Sequence, residues 1–154
     1  MTKKNSGFTL IELLVVIGIL GILLAIVLIA INPARQFAQA NNTARRSDVT
    51  TLLNAIHQYS ADNKGILPAG IPVAPAVAGV ISKAGVDICA LVSPTYVASL
   101  PTDPSLNTAA VSDCASLTYT TGYTVVQDAN GRVTVAAPSA EAISGQSTAI
   151  SVTR

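Results

Sequence analysis

The chain has few side chains suited to chemistry, and their spacing limits what that chemistry can be. Its only histidine is His57, and its only cysteines are Cys89 and Cys114. A lone imidazole on a helix face, far from any cysteine or carboxylate cluster, lacks the partners that a general base or a metal ligand requires. His57 therefore reads as a structural or solvent-facing residue. Two thiols without further ligands do not make a metal site. No catalytic constellation emerges, so the chain does not read as an enzyme. One carboxylate stands out instead. Glu12 sits near the start of "KKNSGFTLIELLVVIGILGILLAIVLIAINPAR", a run otherwise suited to hydrocarbon.

Every residue from 13 to 31 is apolar or glycine. A helix rising about 1.5 Å per residue crosses a core of about 30 Å in roughly 20 residues. Lys3 and Lys4 precede the run, which places the N-terminus in the cytoplasm and the remainder outside. A secretory signal peptide would have a shorter apolar core and a small-residue cleavage site, and "IAINPAR" offers a poor one. A plain signal anchor fits the length better. Neither reading explains Glu12, because an acidic residue in a spanning helix costs roughly 2.5–3.5 kcal/mol at the centre and less near the end. It calls for a partner.

A cut after Gly7 would supply one. Phe8 would become the N-terminus, carrying a positive amine one helical turn from Glu12. In a bundle of identical helices, Glu12 of one copy pairs with the Phe8 amine of the next. That neutralises both charges in a low-dielectric core and sets the axial register between copies.

The basic leader "MTKKNSG" followed by "FTLIELLVVIGILGILLAIV" resembles the class III signal of type IV pilins and type II secretion pseudopilins. The resemblance implies cleavage after Gly7 by a membrane aspartyl peptidase, N-methylation of the new terminal Phe8, and a role for Glu12 in assembly. It further implies a type IV pilin-like α+β fold, with a long N-terminal helix packed on a small antiparallel sheet of about three strands. Four regions are expected: a leader (1–7), a transmembrane and filament-core helix (8–31), its amphipathic continuation (32–62), and a globular domain (63–154).

In the continuation, Phe37, Ala40, Ala44, Val49, Leu52, Leu53 and Ile56 recur at helical spacing. Arg45 and Asp48, three apart, read as a surface pair on the polar side, and Tyr59 as packing the helix against the domain. Pro33 predicts either a kink or a locally freed carbonyl at Ile29, without ending the helix. Family members usually carry this proline nearer the N-terminus. Gly18 and Gly21 are spaced for close helix approach. Asn63, Gly65 and Pro68 are stop signals.

From 66 to about 117 the chain is rich in Pro, Gly and Ala, which predicts surface loops with at most short helical turns. In an exported domain, Cys89 and Cys114 read as a disulfide stabilising by roughly 3–4 kcal/mol. Between them, "SPTYVASLPTDP" resembles the segment before the sheet of major pseudopilins and related small pilins, although Ser105 and Leu106 stand where that family has tryptophan and glycine. Asn130-Gly131 between alternating segments predicts a hairpin. A two- or four-residue loop there would put Val126 on one face with Val133 and Val135. The terminal "TAISVTR", with Ile150 and Val152 alternating, predicts a third strand after a loop over 138–147.

The resemblance implies a filament subunit. Its partners would be further copies of itself, the prepilin peptidase and methylase, an inner-membrane assembly platform, a cytoplasmic ATPase and the membrane. A major pseudopilin of a secretion machine and an anchored domain that never assembles are the alternatives. The precursor would sit in the cytoplasmic membrane, and the assembled filament in the periplasm or outside the cell. Removing Lys3 and Lys4 takes the net charge from +1 to −1, which does not favour strong nucleic-acid binding. No cofactor is required. Major pseudopilins often hold Ca²⁺, and Asp103, Asp113 and Asp128 are weak candidates for it, with solvated loop aspartates the plainer reading.

Overall fold

The computed structural model describes residues 7–143 and 149–154. The leader's first six residues lie outside the described residues, as do positions 144–147 of the loop expected over 138–147 and the next residue, Thr148. The chain divides into two compact units, Met1–Phe37 and Ala38–Arg154.

The first unit carries the apolar helix. Helix α1 covers Leu10–Ile31, and none of its residues is buried. It ends at Asn32, whose backbone is left-handed (φ 46°, ψ 81°). Helix α2, Pro33–Asp62, begins at the next residue. The expected kink inside one continuous helix is thus a complete one-residue break. A proline lacks the N–H that a first-turn residue leaves unpaired anyway, and it disfavours helical backbone in the residue before it. Asparagine tolerates the left-handed region, and the Asn32 carbonyl accepts the Arg35 and Gln36 amides at 3.1 and 3.4 Å.

In the second unit the buried stripe of α2 runs through Ala38, Asn42, Arg45, Val49, Leu52 and Ile56. These positions are three or four apart and so share one face. This corrects two expectations. Phe37, Ala40 and Ala44 lie outside the stripe and are exposed, Phe37 by 70%. Arg45 and Asp48 are not a surface pair, because Arg45 has no exposed surface and Asp48 bonds elsewhere. Two polar residues occupy core positions since remote segments supply their partners, which an apolar pattern cannot register. Tyr59 packs on the core and meets the Tyr96 ring edge-on at 6.1 Å.

Four strands form one antiparallel sheet in the order β1-β2-β3-β4: Gly79–Ser82, Thr120–Gln127, Val133–Ala137 and Ile150–Thr153. The expectation was about three. The additional strand, β1, falls in the stretch expected to be loop. Only four residues long, it pairs with β2 through Gly79↔Val125 and Val80↔Thr124, so its strand character comes from a distant partner. Val49, Leu52 and Ile56 of α2 form the core together with Ile81, Val125, Val133 and Val135 of the sheet.

The hairpin register also differs from the expected one. Gln127 pairs with Val133 and Val125 with Val135, so Val125, not Val126, shares the core face. The loop is odd in length. Asp128 N–H donates to the Arg132 carbonyl at 2.8 Å, and Gly131 N–H donates to the Asp128 carbonyl at 3.1 Å. Gly131, at φ +84°, is the additional left-handed residue of a type I turn closed by a bulge. One residue more reverses the facing of the strand.

Cys89, which opens the short helix α3 (Cys89–Val92), is joined to Cys114. Within this closed loop Leu100 and Val111 exchange backbone hydrogen bonds at 2.9 and 2.8 Å. Replacing both cysteines by Ser should lower the domain's unfolding free energy by about 3–4 kcal/mol and leave membrane insertion unchanged. Urea titration of the detergent-solubilised chain, beside alkaline extraction of membranes, checks both. Matching urea midpoints would remove the stabilising role.

Candidate functional site

The residues singled out at the amino terminus stand close together in the chain. Gly7 is the first described residue, and a Cβ built on it would meet nothing within 4 Å. Phe8 is 90% exposed. Thr9 caps α1. Its hydroxyl accepts the Glu12 amide at 3.3 Å, while the Glu12 carboxylate accepts the Thr9 amide and hydroxyl at 2.8 and 2.7 Å. This reciprocal capping box satisfies donors that a helix start leaves orphaned. The T-x-x-E spacing of Thr9 and Glu12 is the local signal from which the box can be read. Behind the box, Leu10–Ile31 is long and apolar enough to cross a bilayer. Gly18 and Gly21 leave open space where a side chain would stand.

Residues 2–28 match the prokaryotic N-terminal methylation motif. The chain carries the class III signal peptide of the type IV pilins and pseudopilins. Neither the comparison with curated proteins nor that with solved structures finds a significant match. The methylation motif, which overlaps the apolar helix Leu10–Ile31, fits a membrane-anchored precursor. The α+β architecture of the chain, a long N-terminal helix with a four-stranded antiparallel sheet, is consistent with the pilin-like fold.

A second constellation lies in the domain, and sequence reasoning missed it. Arg45 donates from Nε and Nη2 to the two carboxylate oxygens of Asp103, each at 2.9 Å. Its Nη1 reaches Asn42 Oδ1 at 3.0 Å and Glu141 Oε1 at 3.1 Å. The Asn42 amide pairs both ways with the Glu141 backbone, at 2.8 and 3.0 Å. Asp103 accepts further bonds from the Ser105 amide and hydroxyl, and its own N–H donates to the Thr121 carbonyl at 2.8 Å. This approach needs Gly122, which has φ +77° and where a Cβ would come within 3.0 Å of Asp103 Cβ.

Burial works against the Asp103 charge, but Arg45 and Ser105 overcome it and hold the carboxyl below its ordinary pKa. Hydrogen bonds from Asn41 and Arg45 do the same for Glu141. Asp48 is pushed up by burial, partly offset by the Tyr123 hydroxyl at 2.6 Å, with the Asp103 charge adding to the rise. These are the interactions of a structural clamp between helix, loop and strap.

The three aspartates weighed for Ca²⁺ are not brought together. Asp103 lies in the clamp. Asp113 accepts the Ala115 amide in its own turn, and Asp128 holds the hairpin through Arg132, Nε to Oδ2 at 2.7 Å. His57 is half-buried, and its Nε2 has no hydrogen-bond partner among the described residues.

Proposed function

We propose that the chain is a structural subunit, not an enzyme, which polymerises into a type IV pilus or related filament after cleavage behind Gly7 and N-methylation of Phe8. The placement of Glu12 carries this reading. It is the one acidic residue of α1, it lies one turn from the bond after Gly7, and it belongs to a helix with no buried residue. Such a surface is stable in lipid or against other copies of itself, and exposure to bulk water is unfavourable for it. The precursor waits in the cytoplasmic membrane with its basic leader inside. Prepilin peptidase and methylase process it, and an assembly platform with a cytoplasmic ATPase extracts it into the filament.

The "LPTDP" stretch supports a second reading, a pseudopilin confined to a secretion machine. Electron microscopy of cells expressing this subunit and its machinery separates the two. Micrometre-long surface fibres are the expected result, and fibres confined to the envelope would favour secretion. A monomeric band on crosslinking, with no fibres of either kind, would reject polymerisation.

Processing has its own test. Gly7→Val should abolish cleavage, because a branched side chain blocks peptidase access to backbone beside the membrane, whereas Gly7→Ala should be cleaved partially. An immunoblot showing fully matured Gly7→Val would remove the class III reading.

A further inference from the structure

Asp103, the principal partner of Arg45, lies inside the loop closed by Cys89 and Cys114. Arg45 itself lies 44 positions before Cys89 in the chain, and the structure seats it against the loop that the disulfide closes. Arg45 is completely buried, so its charge is tolerated only while carboxylates stand against it. Glu141 meets it from a site that is 37% exposed, whereas Asp103 meets it with both oxygens from a site that is 1% exposed. Pro104–Leu106 forms a 3-10 turn capped by Asp103, and Thr102 reaches across to the Thr108 carbonyl at 2.9 Å. The Leu100–Val111 bridge ties both arms of the loop together. The turn that Asp103 caps and both ties across the loop therefore lie within the disulfide, and the Thr121 carbonyl of β2 is, among the described residues, the one backbone anchor of Asp103 outside it.

We propose that oxidation of Cys89 and Cys114 drives docking of the Asp103 loop on Arg45, making the packing of α2 against its domain conditional on redox state. Closing the bond removes two electrons and two protons from the thiols. A disulfide of an oxidising partner, of the thiol–disulfide oxidoreductase class, accepts them and leaves as a dithiol. With the thiols free, the loop regains the conformational entropy that closure had removed. Holding Asp103 in place then costs more, and Arg45 is released to water along with the segment of α2 around it. The chain before oxidation would thus keep an incompletely docked domain, and the oxidised chain would lock it. This inference rests on the domain alone and does not depend on the filament reading.

Hydrogen exchange of the full-length detergent-solubilised protein, oxidised and after reduction with dithiothreitol, tests it. Reduction should raise exchange in residues 42–49 and 99–111 by on the order of 10-fold or more, with β2 and β3 changing less than about twofold. In Arg45→Met/Asp103→Leu, which removes the buried charges together, the same reduction should leave exchange in 42–49 unchanged. Three results would overturn the proposal: no response of 42–49 in the reduced wild type, an equal rise across β2 and β3, or a full response in the double variant. The comparison of oxidised and reduced wild type is decisive even if the double variant folds poorly.

Discussion

Cells whose only copy of this chain carries Glu12→Gln should insert and cleave the subunit normally yet produce few or no filaments. Glutamine is the informative choice because of the capping box. It serves at the third helical position much as glutamate does, so the start of α1 survives and only the negative charge is lost. If Glu12 did no more than cap its own helix, Glu12→Gln would assemble like the wild type. If instead the carboxylate must leave Thr9 to meet the Phe8 amine of the neighbouring copy, the substitution leaves a buried cation unpaired. Removing one member of a buried pair costs about 3–5 kcal/mol, which lowers the association constant per subunit on the order of 100-fold or more. Glu12→Ala should fail at least as completely, through loss of cap and charge together. The measurement is filament yield against mature subunit in the same membranes. Normal yield from Glu12→Gln would assign this residue to helix capping alone.

Asp103→Ala should be the most damaging single change in the domain, lowering its stability by about 3–5 kcal/mol, because Arg45 remains buried with only Glu141 and Asn42 against it. Arg45→Met/Asp103→Leu should recover most of the loss, as replacing a buried pair by apolar residues of similar volume is often neutral or better. The pH dependence follows from the same groups. Asp103 and Glu141 have lowered pKa values in the fold, so their stabilisation is present above the unfolded-state values, about 4, and is lost as pH falls through the folded ones. Asp48, raised by burial, acts in the opposite direction, favouring the fold at low pH and losing that contribution as pH rises. Asp87, held by Lys83 and Tyr119, and Asp128, held by Arg132, are lowered as well. With four lowered carboxyls against one raised, the domain should weaken in acid, and Asp103→Ala should show a shallower acid decline than wild type. Urea midpoints at pH 7 and near pH 3 read both effects. An unchanged midpoint for Asp103→Ala at pH 7 would show that water reaches Arg45.

What could be read from the chain itself was whatever is encoded locally or by composition. The span over residues 13–31 declares itself by length, and the G-F-T-L-I-E run by direct adjacency to it. Asn130-Gly131 marks its hairpin because two neighbouring residues carry the conformational preference, and the cysteine pair is marked by the absence of other ligands. Tertiary structure decided the remainder. Arg45 became a core residue because Asp103, 58 positions away, and Glu141, 96 positions away, converge on it. Charge alone assigned it to the surface. Four residues from Gly79 became a strand because β2 lay beside them, with nothing local to distinguish them from loop. Val125 took the core face that parity had given to Val126, since Gly131 inserts one residue through a positive φ. Asn32 ended a helix that apolar periodicity carried onward, because Pro33 does better at a first helical position than inside a turn. In each case the deciding interaction was made by backbone geometry or by a remote partner, and a hydrophobic pattern records neither.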